Sequence, residues 1–211
     1  MKTITIIDYG CGNILNLVRA INFLGYKVEV TNDKKKILNS SHVILPGVGA
    51  FGNAMQQLKK YDLQNTIFEY TKLNKPLFGI CLGMQILLTK SYEFGKHEGL
   101  GLIKGEVLKI SNKTDKKIKI PHVGWNEIYP NNNEKKWENK ILKNLTAGTN
   151  FYFVHSYVCF TKNPNSTVAV CNYSNISIPA VVAENNVFGC QFHPEKSGED
   201  GINVIKNFCE I

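Results

Sequence analysis

The chain has 211 residues, of which 43% are hydrophobic and 20% are charged, and its formal net charge at pH 7 is +8. A chain of this length can bury a substantial core without disulfide staples, and the composition is that of a soluble globular protein. The extra positive charge lies in polar, lysine-rich segments such as 32–36 and 112–119, which lack the interleaved aromatic residues of a nucleic-acid module, so a solvated face is predicted there rather than a nucleic-acid site.

The first part of the chain alternates short apolar runs with one amphipathic stretch. Strands are predicted at ITIIDY, KVEVTN and SHVILP, with a helix at ILNLVRAINFLGY after the glycine turn GCGN. The opening MKTITIIDYG is predicted to be the first strand rather than a signal peptide, because Asp8 interrupts its apolar run. This order is typical of β-α-β units, whose parallel strands are buried on both faces.

The next part begins with a glycine-rich loop that opens a helix, PGVGAFGNAMQQLKKYDL, and continues with a helix through IFEYTKLN. The strand PLFGI follows, and MQILLTKSYEF is predicted to be a helix over 84–94 with one apolar side. The uncharged stretch 76–88 is too short and too often interrupted by glycine to span a bilayer, so no membrane role is expected.

From about residue 98 the chain changes to short β-rich runs separated by Gly, Asn and Pro, until GINVIKNFCEI forms a last helix. The predicted fold class is therefore α/β, with a central mixed, mostly parallel sheet flanked by helices and an antiparallel β extension. No repeat, linker or low-complexity tract suggests a second domain, so a single domain over 1–211 is expected.

Six cysteines stand mostly inside apolar runs, at positions 11, 81, 159, 171, 190 and 209. Neither a C-x-x-C pair nor a Cys/His cluster with zinc spacing is present, so most of these cysteines are predicted to be small buried hydrophobes. We therefore expect reduced thiols, a cytoplasmic protein, and no structural metal or cofactor.

Cys81 differs from the other cysteines because it lies between Gly79 and Gly83, where a buried strand turns into a helix. The pattern G-x-C-x-G in this context has the form of a nucleophile elbow, with a strained reactive residue and glycines where a side chain would collide. A helix start and a nearby imidazolium would favour the thiolate form. The alternative is a buried strand-end residue beside an ordinary turn.

His193 is the candidate partner, because QFHPE follows a buried strand and places Glu195 two residues later. In an extended segment the two side chains face the same side, so the carboxylate can orient the imidazole. The alternative for this short motif is a surface turn. His42 and His97 are predicted at the surface, whereas the aromatic surroundings of the two remaining histidines, 122 and 155, fit a polar core or an interface.

A second glycine-rich turn, PGVG at 46–49, also ends a predicted strand. Its backbone N–H groups at Gly47, Val48 and Gly49, together with the amide of Leu82, could form an oxyanion hole. The competing interpretation is a phosphate-binding loop, but neither a Walker lysine nor G-x-G-x-x-G is present.

These three elements, PGVG, GICLGMQ and FHPE, in this order resemble the class I glutamine amidotransferases, which have a Cys-His-Glu triad. Further matches, IIDYGCGN, GLGLIKGEV, PHVGWN, YFVHSY and FHPEKSG, extend the resemblance over essentially the whole chain and are similar to the glutaminase subunits of imidazole glycerol phosphate synthase. The resemblance implies that Cys81 attacks the side-chain amide of glutamine, with His193 as general base and acid and Glu195 as its orienting group.

The resemblance also assigns substrate and partner residues. Gln85, Glu93, Ser156 and Tyr157 match positions that bind glutamine, although Gln85 could simply be a polar helix residue and Glu93 part of a solvated face. The residues matching an interface are Asn13, His122, Trp125 and Lys196; core packing is the alternative for Trp125. In the family the PGVG peptide is thought to flip into place on activation, so Gly47, Val48 and Gly49 would act as a switch.

By the same resemblance, the partner is a (β/α)8 cyclase subunit that receives the ammonia and makes imidazole glycerol phosphate and aminoimidazole carboxamide ribotide in histidine biosynthesis. The expected assembly is a heterodimer. Two alternatives stay open at this point: a paralogous glutaminase that supplies ammonia to a surface-sugar amidating enzyme, and a cysteine-elbow α/β protein without glutaminase activity.

Overall fold

The computed structural model describes residues 2–113, 118–131, 137 and 139–211. Residues 114–117 of the lysine-rich segment 112–119 lie outside this range, and so does most of the segment 132–138. The expected solvated face is therefore described only in part.

The described residues form thirteen strands and six α-helices. The strands are β1 Thr3–Ile7, β2 Lys27–Thr31, β3 His42–Gly47, β4 Leu77–Cys81, β5 Leu88–Ser91, β6 His97–Glu98, β7 Ile103–Lys109, β8 His122–Pro130, β9 Asn150–His155, β10 Tyr157–Thr161, β11 Thr167–Tyr173, β12 Ile176–Glu184 and β13 Val187–Cys190. The helices are α1 Ile14–Phe23, α2 Lys34–Asn39, α3 Phe51–Lys60, α4 Leu63–Lys72, α5 Leu82–Ile86 and α6 Gly198–Glu210.

The larger sheet has nine strands in the order β2-β1-β3-β4-β13-β12-β11-β8-β9. Its pairings are parallel from β2 to β13 and antiparallel from β13 to β9. Every residue of the central strands β3 and β4 is buried, as expected for parallel strands covered on both faces. The predicted α/β class with a mixed sheet and an antiparallel extension is confirmed.

Four strands form a second sheet, in the order β10-β7-β5-β6. The expectation that the second half of the chain only extends the first sheet is therefore corrected. The apolar run 151–160 contributes to both sheets, because it is divided at Ser156 into β9 and β10. β9 pairs with β8 in the large sheet, while β10 pairs with β7 in the small one. Residues 156–157 therefore lie where the two sheets separate.

The helix predicted over 84–94 is wrong. The helix after Cys81 is the five-residue α5, and the chain then forms β5, which pairs with β7. Leu88 and Ser91 are buried at the ends of this strand, and its two middle residues are half-exposed. The apolar pattern of 84–94 is therefore compatible with a strand as well as with a helix. The consequence is that Glu93 follows a strand and not a helix.

Helix α2 occupies part of the connection 32–41, where no element was predicted. Asp33 lies at its amino-terminal cap, and its Oδ1 accepts a hydrogen bond of 2.9 Å from the backbone N–H of Lys36. The lysine side chains themselves are exposed, as predicted for a solvated segment. Among the described residues, no helix has both the length and the apolar character needed to cross a membrane.

Candidate active site

Cys81 is the last residue of β4 and lies immediately before α5. Its backbone angles, φ 56° and ψ −111°, are rarely adopted by a residue with a side chain, and such strain is typical of a nucleophile elbow. The thiol is 7% exposed and lines a cavity of about 360 Å³. The predicted elbow geometry is present.

The glycines on either side of Cys81 are required by close backbone packing. A Cβ atom built on Gly83 would lie 1.8 Å from the carbonyl oxygen of Leu45 in β3. One built on Gly79 would lie 2.6 Å from the carbonyl oxygen of Gly83. Because no real Cβ contact is this short, both positions exclude any side chain, and α5 can lie directly against the sheet.

His193 reaches Cys81 because β13 pairs in parallel with β4, with Cys190 opposite Ile80. His193 has extended angles, but the next residues form a 3₁₀ turn, Pro194–Lys196, so the predicted fully extended segment is corrected. The turn still brings Glu195 to the imidazole: the Nδ1 to Oε1 distance is 2.9 Å, and the side chains are only 4% and 2% exposed.

This pair fixes the protonation pattern of the imidazole. Nδ1–H donates a hydrogen bond to Glu195, which leaves Nε2 for the hydrogen bond between His193 and Cys81. Burial alone lowers the pKa of His193, but the hydrogen bonds and charges of Cys81 and Glu195 outweigh it and raise the pKa to about 10. The arrangement therefore favours the protonated, imidazolium form of His193.

The PGVG segment lies beside Cys81, because Gly47 at the end of β3 is in register with that residue. Val48, Gly49 and Leu82 line the same cavity as Cys81. Gly47 is packed against α5, because a Cβ atom built on it would lie 2.8 Å from the backbone nitrogen of Gly83. The hydroxyl of Tyr9 donates a 2.6 Å hydrogen bond to the carbonyl of Pro46 and so anchors the start of the segment. Three of the four predicted oxyanion residues therefore line the cavity.

All four residues expected to bind glutamine line this cavity: Gln85, Glu93, Ser156 and Tyr157. Gln85 is on α5, where its Nε2 donates to the carbonyl oxygen of Tyr157 at 3.0 Å. Glu93 is only 9% exposed, and its Oε2 accepts a 2.6 Å hydrogen bond from the backbone N–H of Phe51, the first residue of α3. Burial raises the pKa of Glu93, so the solvated-face interpretation of this residue is wrong.

The residues expected at an interface have different environments. Lys196 lines the cavity, Asn13 is half-buried before α1, and the Trp125 side chain is 55% exposed, which contradicts core packing. His122 is fully buried, stacked on Phe153, so its side chain is not offered to a partner.

The sequence-based predictions misplaced one further residue, His42, and missed another, Gln191. The surface prediction for His42 is wrong: it is 3% exposed and its ring packs on Phe208, and burial together with the charge of Lys2 lowers its pKa to about 4. Gln191 was missed, although its Nε2 lies 3.8 Å from the sulfur of Cys81. In the sequence, its position two residues before His193 is the feature that could have pointed to it.

The chain matches the family described as Glutamine amidotransferase class-I over residues 5–211. It is 42% identical over 213 residues to imidazole glycerol phosphate synthase subunit HisH 1 of Legionella pneumophila (strain Lens), covering 100% of both chains. It is 45% identical over 208 residues to imidazole glycerol phosphate synthase subunit HisH of Caldanaerobacter subterraneus subsp. tengcongensis, covering 99% of this chain and 98% of the relative.

Among solved structures, PurLQS from Thermotoga maritima has a TM-score of 0.73 at 20% identity, covering 99% of this chain and 98% of that one, which supports the fold alone. The family match extends over nearly the whole chain and includes the cysteine elbow, the PGVG turn and the His193–Glu195 pair. The chain therefore belongs to the class I glutamine amidotransferase family.

Proposed function

We propose that the chain is the glutaminase subunit of an imidazole glycerol phosphate synthase and supplies ammonia to a (β/α)8 cyclase subunit in histidine biosynthesis. The observation that carries this proposal is the buried Cys81–His193–Glu195 arrangement at the cavity. It is supported by relatives of the same length that bear this subunit name.

The chemistry begins with attack by the Cys81 sulfur on the side-chain carbonyl carbon of glutamine. The developing oxyanion is stabilised by N–H groups of the PGVG segment and of Leu82, each worth about 10²–10³ in rate. His193, which holds the proton taken from the thiol, gives it to the leaving nitrogen, the C–N bond breaks and ammonia departs. Water then attacks the thioester with His193 as base, and glutamate is released as the C–S bond breaks.

The cavity also offers groups that suit the amino-acid end of glutamine. Only one carboxylate oxygen of Glu93 is engaged by Phe51, so the other can bind the α-ammonium group. Gln85 uses its nitrogen for both of its hydrogen bonds, to Tyr157 and Gln191, which leaves its side-chain oxygen as an acceptor. Glu93 and Gln85 are therefore the proposed ammonium site.

Glu93→Gln is expected to raise the KM for glutamine by about 10- to 100-fold, because a hydrogen bond to a charged group is replaced by a neutral one. The variant keeps an oxygen for the Phe51 N–H, so the position of α3 should not change. Steady-state release of glutamate measures the effect, with kcat changing less than KM.

Glu98→Gln is the matched control, because it removes the same charge from β6, where the exposed carboxylate faces Lys96. Its KM should stay within about twofold of that of the unaltered chain. An unchanged KM in Glu93→Gln would remove Glu93 from the substrate site.

The proposed partner surface lies beside the cavity. The ring of Tyr152 is close to two residues of this surface: it lies 6.1 Å from the ring of Trp125 and 5.9 Å from Nζ of Lys196. Val123, on the same strand as Trp125, is 53% exposed. An exposed tryptophan beside an exposed aliphatic residue suits the centre of a protein interface.

The test compares glutamine hydrolysis by the purified chain alone with hydrolysis after addition of the cyclase and its nucleotide ligand. Alone, the chain is expected to be slow; with both additions the rate should rise by about 5- to 150-fold, the range of ordinary allosteric coupling. Stimulation by a sugar-amidating synthetase, with none by the cyclase, would instead establish the paralogous role.

A further inference from the structure

Gln191 is a buried amide that contacts the nucleophile. It follows β13, is fully buried, and its backbone N–H donates to the carbonyl of Ala180 at 2.9 Å. Its side-chain Nε2 lies 3.8 Å from the sulfur of Cys81, and its Oε1 accepts a 3.0 Å hydrogen bond from Gln85. The residue is therefore positioned to present an N–H group to the sulfur.

The orientation of this amide follows from its neighbours. The backbone carbonyl of Tyr157 can only accept, so Gln85, which lies 3.0 Å from it, must present its nitrogen there. The same nitrogen also points at Gln191, 3.0 Å away, which must therefore present its oxygen. The nitrogen of Gln191 is then left for Cys81.

The carbonyl of Tyr157 is itself held by a pair of buried histidines. His155 Nδ1 lies 2.9 Å from this oxygen, and His155 Nε2 lies 2.9 Å from Nδ1 of His122. Burial lowers the pKa of His155 to about 3, so the ring is neutral and its single proton is required at Nδ1 by the carbonyl. His155 Nε2 is then unprotonated and faces Nδ1 of His122.

The contacts of the sulfur have opposite effects on its two forms. The carbonyl of Val154, 4.0 Å away, can accept a hydrogen bond from the thiol but has nothing to offer a thiolate. The N–H of Gln191 binds the thiolate better, because hydrogen bonds to a charged acceptor are the stronger ones. Gln191 thus favours the nucleophilic form.

We propose that Gln191 is a further catalytic residue, which donates its side-chain N–H to the Cys81 sulfur and stabilises the thiolate, while Gln85 acts as the positioning residue that keeps this amide in the donor orientation. The contribution to turnover rests on the proposed glutaminase chemistry. The contribution to thiolate formation does not, because it can be measured without glutamine.

The test is the pH dependence of Cys81 alkylation by iodoacetamide, followed by mass spectrometry on the full-length chain. Gln191→Met keeps the length of the side chain and removes the N–H, so the pH of half-maximal alkylation should rise by about one to two units. The plateau rate at high pH should equal or exceed that of the unaltered chain, because a less stabilised thiolate is the better nucleophile.

Gln64→Met is the matched control, since it removes a side-chain amide on α4 whose nitrogen donates to the carbonyl of Met55 at 3.4 Å. Its pH profile should not change. The other titratable groups around the sulfur are the same in all three proteins, so a shift belongs to Gln191. These groups are Tyr9, Glu93, His155, Tyr157, Cys159, Cys190, His193, Glu195 and Lys196.

An unchanged pH midpoint in Gln191→Met would overturn the proposal. If the plateau rate is lowered as well, the role of Gln191 is structural. If the variant does not fold, side-chain ¹H–¹⁵N NMR replaces it: Cys81→Ala should move one of the two Gln191 amide protons, and unmoved resonances refute the N–H···S contact. Failure of the proposed function would appear separately, as absent glutaminase activity with a shifted alkylation midpoint.

Discussion

Cys81→Ala is expected to lower the rate of glutamine hydrolysis by about 10⁴-fold or more, the scale seen when a nucleophile of this kind is removed. Among the described cysteines, Cys81 is the one that lines the cavity and forms a hydrogen bond with His193. The measurement is glutamate release by the chain together with its partner. Cys171→Ala, a buried substitution in β11, is the control and should retain activity if it folds.

A glutamine-like electrophile such as diazo-oxo-norleucine should label the same residue alone. Burial raises the pKa of each of the other cysteine thiols, which keeps them protonated and unreactive; they are Cys11, Cys159, Cys171, Cys190 and Cys209. Peptide mass spectrometry identifies the labelled site. Label on another cysteine, or full activity in Cys81→Ala, would contradict the assignment of the triad.

Gly83→Ala is expected to lower the free energy of unfolding by at least about 3 kcal/mol or to prevent folding altogether. The added Cβ would lie 1.8 Å from a backbone oxygen of β3, so either that strand or α5 must move. Because α5 begins directly after Cys81, the same movement should disturb the elbow. Urea unfolding followed by circular dichroism measures the loss.

Gly25→Ala separates this effect from the ordinary cost of losing a glycine. Gly25 has φ +80°, but apart from its two chain neighbours no described residue has an atom within 4 Å of the added Cβ, so its substitution should cost only about 1–2 kcal/mol. A Gly83→Ala protein as stable as Gly25→Ala would show that the contact between α5 and β3 is not tight.

The sequence predicted the parallel half of the large sheet because its strands are continuous apolar runs separated by an amphipathic helix. The prediction failed after Cys81, where 84–94 has an apolar pattern compatible with a helix or a strand. What decides between them is the pairing of β5 with β7, and this partner lies more than ten residues further along the chain. A local pattern carries no information about such a partner.

The proposed catalytic residues could be identified from the sequence because their motifs are short and contiguous, whereas their supporting residues could not. The burial of His42 depends on Phe208 in the last helix, and the contact of Gln191 depends on α5, each more than a hundred residues away. The division of 151–160 between two sheets likewise depends on β7 and β8, not on anything in the run itself.

The position of β13 links the chemistry to the order in which the chain is made. It is the last strand in sequence, yet it lies between β4 and β12 in the middle of the large sheet, and it carries His193 to Cys81. A nascent or prematurely ended chain that lacks this strand leaves β4 with an unpaired edge and the thiol without its base. Cys81 and His193 are therefore brought together only when β13 has paired with β4, so the formation of the site requires a complete central sheet.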